Sequence, residues 1–317
     1  IMSRLGFKDI EEYKESKDDL VFDYRELMNF YSGLNDQSRK ANEKVKIKEK
    51  VDEIEKHLKK EFDDELTCAK LNDRLHDLFT PFYHLKIDRD DIEKFENTKI
   101  VGKYSEVYQG KYKKYDLTVA IKIIRKEHLK DENELTFLRR EIGILAKLRH
   151  KNIAKFYGYS LSKGKENNQY DNDVWLISEW IPDGSLKERL HSNNPKNLLS
   201  PNDKAKIAYE IAEAMEYIHS ENVLYLDLNP SNILLLKDPD SHSHLSLIPK
   251  IIDFSSARLN GDTLGIKKEK LKHINYMSSE VQSGKKYGKY SDIYSYSMIL
   301  WEMITGVVPL SNIAEDL

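Results

Sequence analysis

The sequence predicts an α+β fold of two lobes, the first rich in strands and the second in helices, with an α-helical hairpin or bundle before them. Residues 36–80 contain neither glycine nor proline and repeat apolar residues every three or four positions, which is typical of long amphipathic helices. From about Ile92 the apolar segments are short and rich in Ile, Val and Tyr, which favours strands, and after Ser185 the helical spacing returns. We therefore predict a helical region at 1–91 and a two-lobed domain at 92–317, with lobes at about 92–181 and 182–317.

The helical region carries one apolar stripe. Its members recur at spacings of three and four, with Lys and Glu on the other faces: Ile47, Val51, Ile54, Leu58, Phe62, Leu66 and Ala69. Pro81 closes the run. A continuous stripe of this kind favours a dimerisation or docking helix pair, so we expect self-association through these helices.

Composition and charge exclude several classes of protein. The 317 residues include 51 Lys and Arg against 54 Asp and Glu, a formal net charge of −3, so we expect no nucleic-acid binding through a basic face. The only cysteine, Cys68, cannot form a disulfide within the chain, which favours a reducing compartment. No apolar run approaches the roughly 18–20 residues that span a bilayer. We therefore expect a soluble cytoplasmic protein with no membrane span and no signal peptide.

The clearest single element is a helix that begins after Ser200. Ser200 is a capping residue, Pro201 suits the first turn, and Asp203 adds an acid there. The apolar residues that follow form a stripe that we expect to face the core: Ile207, Ile211, Met215 and Ile218.

Two polar insertions, at 162–173 and 237–247, are predicted to be loops. The second contains four Asp and His residues between positions 238 and 244, which could be drawn as a metal site. We reject that interpretation because such clusters in polar loops are far more often solvated turns, and no zinc-binding spacing supports it.

Lys122 lies inside an apolar segment, Val119–Ile124, that we expect to form a strand buried on both faces. A lone ammonium there would be costly to desolvate, so it needs a partner. Glu141 falls in a helix whose inward stripe is Leu138, Ile142 and Leu145. An ion pair between the strand lysine and the helix glutamate could hold α- and β-phosphates, and a buried scaffold salt bridge is the alternative.

Three further polar residues follow in order. Asp227 and Asn232 come directly after the capped helix, and Asp253 ends an apolar strand. Phosphoryl transfer needs a lysine on the phosphates, acid and amide ligands for Mg²⁺, and a carboxylate that orients the attacking hydroxyl. Together with Lys122 and Glu141, these residues predict phosphoryl transfer that depends on ATP and Mg²⁺.

In this order and at this spacing, the motifs resemble those of the eukaryotic protein kinases, closest to the tyrosine-kinase-like group. The resemblance covers about 92–310 and rests on eight segments: Gly102–Val107 for the glycine-rich loop, Val119–Lys122 for the lysine strand, Glu141 for the helix that follows, Ser178–Ile181 for the gatekeeper and hinge, Tyr225–Asn232 for the catalytic loop, Asp253–Ser255 for the metal-binding motif, Tyr276–Glu280 for the end of the activation segment, and Ser291–Ser295 for the helix that the family calls αF. It implies a bilobal protein-kinase-like fold that binds ATP and Mg²⁺ and acts on a protein substrate or signalling partner.

The resemblance also implies residue roles. Asp227 would be the catalytic base, and Lys122 would contact the α- and β-phosphates and pair with Glu141. Asn232 and Asp253 would hold Mg²⁺. The remaining nucleotide-binding residues would be Ile100, Gly102, Val107, Ala120, Ser178, Glu179 and Ile181, with the backbones of Glu179 and Ile181 on the adenine. Asp292 would brace the catalytic loop from below.

Several positions depart from the family pattern. The glycine-rich loop keeps Gly102 but has Ile100 and Ser105 at its other glycine positions, which predicts weaker or altered nucleotide binding. Leu226 replaces the arginine that usually grips an activation-loop phosphate. Asn229 stands where serine/threonine kinases carry a lysine that neutralises the transferring phosphate, so we expect some loss of transition-state stabilisation.

Two functions therefore remain open. One is a kinase with weak or substrate-restricted serine/threonine phosphotransfer in intracellular signalling, supported by the presence of all five core polar residues. The other is a pseudokinase, a scaffold or regulatory module whose N-terminal helices mediate partner binding or oligomerisation. Leu226, Asn229, the altered glycine loop and Ser255, which replaces a glycine, support it. Helices ahead of an altered kinase domain also resemble, in architecture, the mixed-lineage kinase domain-like pseudokinases.

Compared with the family, the sequence stops soon after αF, so we expect a second lobe truncated after that helix. The alternative is that something else completes the lobe; we favour truncation because an unpaired, buried Glu280 and an uncovered αF face would be costly.

Overall fold

A computed structural model describes residues 79–101, 106–125, 129, 132–161, 173–194, 198–238, 246–261 and 273–311. The apolar stripe of the helical region lies outside the described residues. So do Gly102 and Ser105 of the predicted glycine-rich loop and most of the two polar insertions.

Six antiparallel strands among the described residues form the sheet of the first lobe. They are β1 (Ile92–Lys94), β2 (Ile100–Val101), β3 (Glu106–Tyr112), β4 (Leu117–Ile124), β5 (Phe156–Leu161) and β6 (Val174–Glu179). The order across the sheet is β1–β3–β4–β6–β5, and β2 pairs with β3. The sheet confirms the strand-rich first lobe that the sequence predicts.

Strand β4 is buried on one face only, so the expectation of burial on both faces was wrong. Val119, Ile121 and Ile123 are almost fully buried, whereas Ala120 and Lys122 are half-buried. Successive side chains of a strand point to opposite faces, so Ala120 and Lys122 share the more open one. The strand therefore places its lysine where other parts of the chain can reach it.

The predicted helix that carries Glu141 is α1 (Glu132–Lys147). Leu138 and Ile142 are buried, as expected, and Leu145 is half-buried. The helix packs against β5 and against a short 3-10 turn, Phe254–Ser256. Its buried side therefore faces both the sheet and the segment that contains Asp253.

Residues 79–91 lie along the edge of the sheet at β5. They include two 3-10 helices, Thr80–Leu85, which has Pro81 in its first turn, and Arg89–Asp91. The Phe79 ring stacks on Tyr159 of β5 with ring centroids 4.0 Å apart. The backbone N–H of Ile87 donates to the carbonyl oxygen of Tyr159 at 2.8 Å. This segment therefore covers the outer edge of β5.

The second lobe is mainly helical, which confirms the predicted α+β class. Its helices are α2 (Leu186–Leu190), α3 (Pro201–Ser220), α4 (Ser279–Gln282) and α5 (Lys289–Thr305). Helix α3 begins as predicted, because the Ser200 side chain accepts from the backbone N–H of Asp203 and the Asp203 carboxylate accepts from the backbone N–H of Ser200. Its stripe is buried in the lobe's core: Ile207, Ile211, Met215 and Ile218.

Two small antiparallel strand pairs lie within the helical lobe. Strands β8 (Ile233–Lys237) and β9 (Leu247–Ile251) pair with each other, as do β7 (Val223–Leu224) and β10 (Arg258–Leu259). Lys237 and Leu247, which the sequence assigns to a loop, are paired strand ends. The second insertion thus joins the two strands of a hairpin, and its four Asp and His residues, apart from Asp238, lie outside the described residues.

Glu280 and helix α5 lie near the end of the described chain. Glu280 is half-buried, and its Oε1 accepts a hydrogen bond from Ser291 Oγ at 2.7 Å. Helix α5, the family's αF, exposes the side chains of Ile293, Trp301 and Ile304. No helix among the described residues is both long enough and apolar enough to cross a membrane.

Candidate active site

Three charged groups meet on the open side of β4. Lys122 Nζ lies 2.7 Å from Glu141 Oε1 and 3.0 Å from Asp253 Oδ1. The Glu141 side chain is 8% exposed and the Asp253 side chain 39%, so the group runs from the interior to an open surface. The ion pair predicted between Lys122 and Glu141 is therefore present, and Asp253 joins it.

The pKa values of Lys122 and Asp253 favour their charged forms. Burial lowers the pKa of Lys122, but the charges of Asp253 and Glu141 and the hydrogen bonds to them outweigh it and raise that pKa above its usual value. Burial raises the pKa of Asp253, but the charge and hydrogen bond of Lys122 outweigh it and leave that pKa below its usual value. Both groups therefore stay ionised at neutral pH.

A second set of polar side chains surrounds Asp227. Asn232 Nδ2 lies 3.0 Å from both the backbone oxygen and Oδ2 of Asp227. Asn229 Nδ2 donates to the same backbone oxygen at 2.8 Å and to Oδ1 at 3.2 Å. His273 Nδ1 lies 3.1 Å from Oδ1. These contacts hold the carboxylate in one orientation, and its side chain keeps 13% exposure.

The β8–β9 hairpin brings Asn232 and Asp253 to the same end. Asn232 directly precedes β8, Asp253 follows β9, and the first residue of β8 pairs with the last of β9, Ile251. The backbone N–H of Ile252 donates to the carbonyl oxygen of Asn232 at 3.0 Å. Hydrogen bonds thus link five residues, Lys122, Glu141, Asp227, Asn232 and Asp253, either directly or through Ile252; we call them the polar cluster.

Two side-chain oxygen groups of the polar cluster suit a magnesium ion. Asn232 Nδ2 faces two oxygen acceptors of Asp227, so the amide oxygen points elsewhere and can act as a ligand. Asp253 adds an accessible carboxylate. Mg²⁺ prefers oxygen ligands and is often held by one or two protein groups together with substrate phosphates. No group of three or more His, Cys, Asp or Glu able to hold a metal is found in the described ranges, so these two ligands would need phosphate oxygens to complete a site.

Asp292 of α5 supports the loop that contains Asp227. It is 1% exposed, and its carboxylate accepts from the backbone N–H groups of Tyr225 at 2.9 Å and Leu226 at 2.7 Å. His219 Nε2 lies 2.8 Å from the same carboxylate. Leu226 has a φ of 64°, a left-handed conformation that is costly for a residue with a side chain. The two accepted hydrogen bonds hold the backbone in that conformation.

Tyr225 ties the loop to the segment after β9. Its ring packs edge-to-face on Phe254 with centroids 5.1 Å apart, and its hydroxyl donates to the Ile252 carbonyl oxygen. Burial raises the pKa of Tyr225 well above its usual value, so it remains a neutral donor. The backbones before Asp227 and Asp253 are thereby fixed relative to each other.

The predicted nucleotide-binding residues lie on neighbouring strands. Val107 pairs with Lys122 across β3 and β4, and Ala120 pairs with Ser178 across β4 and β6. Val107, Ala120, Ser178 and Glu179 are half-buried, and Ile181, just after β6, is 5% exposed. Ile100 is 57% exposed on β2. Five of these residues thus lie on strands β3, β4 and β6 or just after them, close to Lys122 in the sheet. Gly102 lies outside the described residues.

The sequence did not reveal two features near the polar cluster. His273 reaches Asp227 across 46 positions, and no spacing or motif marks it. Glu106 Oε2 lies 2.5 Å from Arg125 Nη2, and Arg125 Nη1 lies 2.7 Å from Asp173 Oδ2. These two ion pairs link the start of β3 and the end of β4 to the start of β6. Both contacts join distant segments, so local patterns carry no signal for them.

Residues 96–317 match the family model described as the protein kinase domain. The dual specificity protein kinase splA of Dictyostelium discoideum is 34% identical over 233 residues, covering 71% of this chain and 9% of the relative. The serine/threonine-protein kinase STY46 of Arabidopsis thaliana is 30% identical over 216 residues, covering 68% of this chain and 34% of the relative.

The L-type lectin-domain containing receptor kinase IX.2 of Arabidopsis thaliana is 35% identical over 219 residues, which cover 68% of this chain and 30% of the relative. The chain thus spans about a third or less of the length of these three relatives. The match over most of the chain agrees with the two-lobed fold and with the polar cluster between its strands and helices. The chain belongs to the protein kinase family, with its protein kinase domain at residues 96–317.

Proposed function

We propose that this chain binds ATP with Mg²⁺ and transfers the γ-phosphoryl group to serine or threonine hydroxyls of a restricted set of proteins. The observation that carries the proposal is the polar cluster, in which Lys122 bonds two carboxylates, Asn232 bonds the third, and the backbone of Ile252 joins the two sets. Two relatives are named as serine/threonine or dual specificity kinases, which supports the choice of acceptor hydroxyl.

Each member of the polar cluster has a proposed role. Lys122, held by Glu141, binds the α- and β-phosphates, while Asn232 and Asp253 supply oxygen ligands to Mg²⁺. The bound ion neutralises charge on the phosphate oxygens. Val107, Ala120 and Ile181 enclose the base beside Ser178, and the backbones of Glu179 and Ile181 contact the adenine. Ile100 and Gly102 make the remaining contacts with the nucleotide.

The chemical step uses Asp227 as the base. The substrate hydroxyl lies against the Asp227 carboxylate, which accepts its proton as the oxygen forms a bond to the γ-phosphorus. The bond between that phosphorus and the β–γ bridging oxygen breaks, and ADP leaves with the electron pair. Asn232 and Asn229 hold Asp227 in place, so most of the rate enhancement comes from positioning and charge.

A pseudokinase is the second candidate, and one observation favours it. Asn229 approaches Asp227 with an uncharged amide, where serine/threonine kinases have a lysine, so one cation is missing beside the transferring phosphate. In that case the domain binds partners, and the N-terminal helices mediate oligomerisation. Light scattering of the whole chain tests the self-association.

Two measurements test the proposal. ATP with Mg²⁺ should raise the melting temperature of the whole chain, and Lys122→Ala or Asp253→Asn should remove most of that rise. Lys111→Ala is the matched control, because Lys111 pairs with Asp116 on the exposed surface of the same sheet. Identical melting curves with and without nucleotide would contradict ATP binding.

The second measurement is transfer of labelled phosphate from ATP to a generic substrate or to the chain itself. Transfer that disappears in Asp227→Asn supports the kinase, and ATP binding without transfer supports the pseudokinase. We also propose a cytoplasmic location and a role in intracellular signalling, since the single cysteine, Cys68, suits a reducing compartment.

A further inference from the structure

His273 lies beside the proposed catalytic base. Its Nδ1 atom is 3.1 Å from Asp227 Oδ1 and 3.0 Å from Asn229 Nδ2, and its side chain is 27% exposed. His273 stands shortly before α4, 46 positions from Asp227. It is the only ionisable side chain hydrogen-bonded to Asp227 among the described residues.

The orientation of the Asn229 side-chain amide limits the hydrogen bonds that His273 Nδ1 can make. Asn229 Oδ1 accepts from the backbone N–H of Ser231 at 2.9 Å, so the amide nitrogen must face Asp227 and His273. That nitrogen has two hydrogens and two acceptors on Asp227, the backbone oxygen and Oδ1. Its hydrogen-bonding capacity is therefore met without the imidazole.

The carboxylate determines where the imidazole carries its proton. An unprotonated Nδ1 would direct a lone pair at Asp227 Oδ1 from 3.1 Å, which is repulsive. A protonated Nδ1 instead donates to that oxygen. We assign the hydrogen to Nδ1 because the negative charge lies on the carboxylate, and because Asn229 Nδ2, 3.0 Å from the ring nitrogen, has two acceptors on Asp227 for its two hydrogens. Asp227 Oδ1 then receives donors from His273 and Asn229, while Oδ2 receives one from Asn232.

We propose that His273 is a positioning residue for phosphoryl transfer, whose Nδ1–H fixes the Asp227 carboxylate in place of the lysine that Asn229 replaces. A carboxylate has about four lone-pair sites, so three donors leave room for the substrate hydroxyl. The segment before α4 thereby acts directly on the base, and its docking sets how well that base is oriented. This role rests on the proposed kinase function.

The test compares two substitutions in the whole chain. In His273→Asn the side-chain amide can replace the Nδ1–H donor, whereas His273→Leu keeps bulk without a donor. We expect His273→Leu to lower kcat about 10- to 100-fold with the KM for ATP changed less than about 2-fold, and His273→Asn to recover most of the loss. His84→Leu, at an exposed histidine of the 80–85 segment, is the control.

A second variant tests the replacement of the lysine. In the Asn229→Lys background the new ammonium supplies a donor to Asp227, so His273→Leu should cost less than about 3-fold in kcat there. Equal losses in the two backgrounds would overturn the proposal, as would wild-type kcat in His273→Leu. A fall in kcat that His273→Asn does not recover would mean a structural role only.

A measurement without turnover separates this role from the proposed function. In protein labelled with ¹⁵N-histidine, NMR should show hydrogen on Nδ1 of His273 in the wild type, and a shift towards Nε2–H in Asp227→Asn. Wild-type protein that transfers no phosphate would overturn both the proposed function and this role. Wild-type protein that transfers phosphate while its His273 carries hydrogen on Nε2 alone would overturn this role and leave the proposed function standing.

Discussion

Lys122 Nζ lies 2.7 Å from Glu141 Oε1, across the space between the sheet and helix α1. The glutamate is nearly buried, and leaving it without a partner there would be costly. The ion pair therefore holds α1 at one position against β4, and kinases require this pair for catalysis. Since Asp253 shares the same ammonium at 3.0 Å, the segment that follows β9 is held by the same contact.

Glu141→Gln should lower the rate of phosphate transfer by about 10- to 100-fold, because the lysine loses the charge that orients it. The measurement is kcat with labelled ATP, together with the melting temperature. Lys147→Gln is the control on the same helix: Lys147 pairs with Glu221 at an exposed position, and such pairs contribute about 1 kcal/mol or less. Equal rates for Glu141→Gln and the wild type would show that the pair is only scaffolding.

Asp292→Ala should destabilise the domain by about 2–4 kcal/mol, since it leaves two buried backbone N–H groups and His219 without their acceptor. Urea unfolding measures the loss. Asp203→Ala is the comparison, because it removes an exposed capping contact of α3 and should cost about 1 kcal/mol. If the two variants lost the same stability, Asp292 would not be holding the loop at Leu226.

Glu106 should make stability depend on pH in the acid range. The hydrogen bond from Lys99, opposed by burial and aided by Arg125, lowers the pKa of Glu106 from 4.5 to about 2. A carboxylate whose pKa is lower in the folded state contributes its full stabilisation to the fold at a pH above its unfolded-state pKa. That contribution disappears as the pH falls towards the folded-state pKa. The difference in unfolding free energy between wild type and Glu106→Gln should therefore shrink as the pH falls from about 4.5 towards 2.

Urea unfolding at a series of pH values gives this difference. Glu96→Gln is the control, since the Glu96 side chain is 74% exposed in its pair with Lys94. A difference for Glu106→Gln that stays constant from pH 7 to pH 3 would contradict the prediction.

Gly158→Ala should separate residues 85–87 from β5. An added Cβ would lie 2.1 Å from the backbone oxygen of Leu85, and Gly158 has a φ of 154°. We expect a loss of about 2–4 kcal/mol and faster hydrogen exchange at the Ile87 N–H, which donates to Tyr159. Gly261→Ala is matched, because its φ is 92° with open space around it, so only the backbone cost of about 1 kcal/mol applies. Similar losses in both variants would mean that close packing at Gly158 contributes nothing.

Local patterns predicted the elements that local interactions form. The start of α3 followed from Ser200, Pro201 and Asp203, because a capping box needs only residues three apart. The lysine strand and the helix of Glu141 followed from spacing, and their pairing from the cost of burying a lone ammonium. The order of the motifs then indicated the family and the five residues of the polar cluster.

Burial of β4 shows where spacing alone was insufficient. A run of apolar residues predicts burial on both faces of the strand. One face of β4 is only half-buried, and it carries Lys122. What covers a strand depends on elements from elsewhere in the chain, and the apolar run does not encode them. Likewise, Lys237 and Leu247 read as loop because polar residues follow and precede them, yet cross-strand hydrogen bonds include them in the β8–β9 hairpin.

The sequence by itself determined the kinase family, the two-lobed α+β class and the identity of the polar cluster. Helix caps, the spacing of apolar residues and the order of the motifs can all be read directly from the sequence. Tertiary structure alone decided that Asp253 shares Lys122 across 131 positions and that His273 reaches Asp227 across 46. It also decided that Ser291 accompanies Glu280. Such contacts depend on how distant segments pack together. The free energy of that packing comes from the whole core rather than from the few residues in contact.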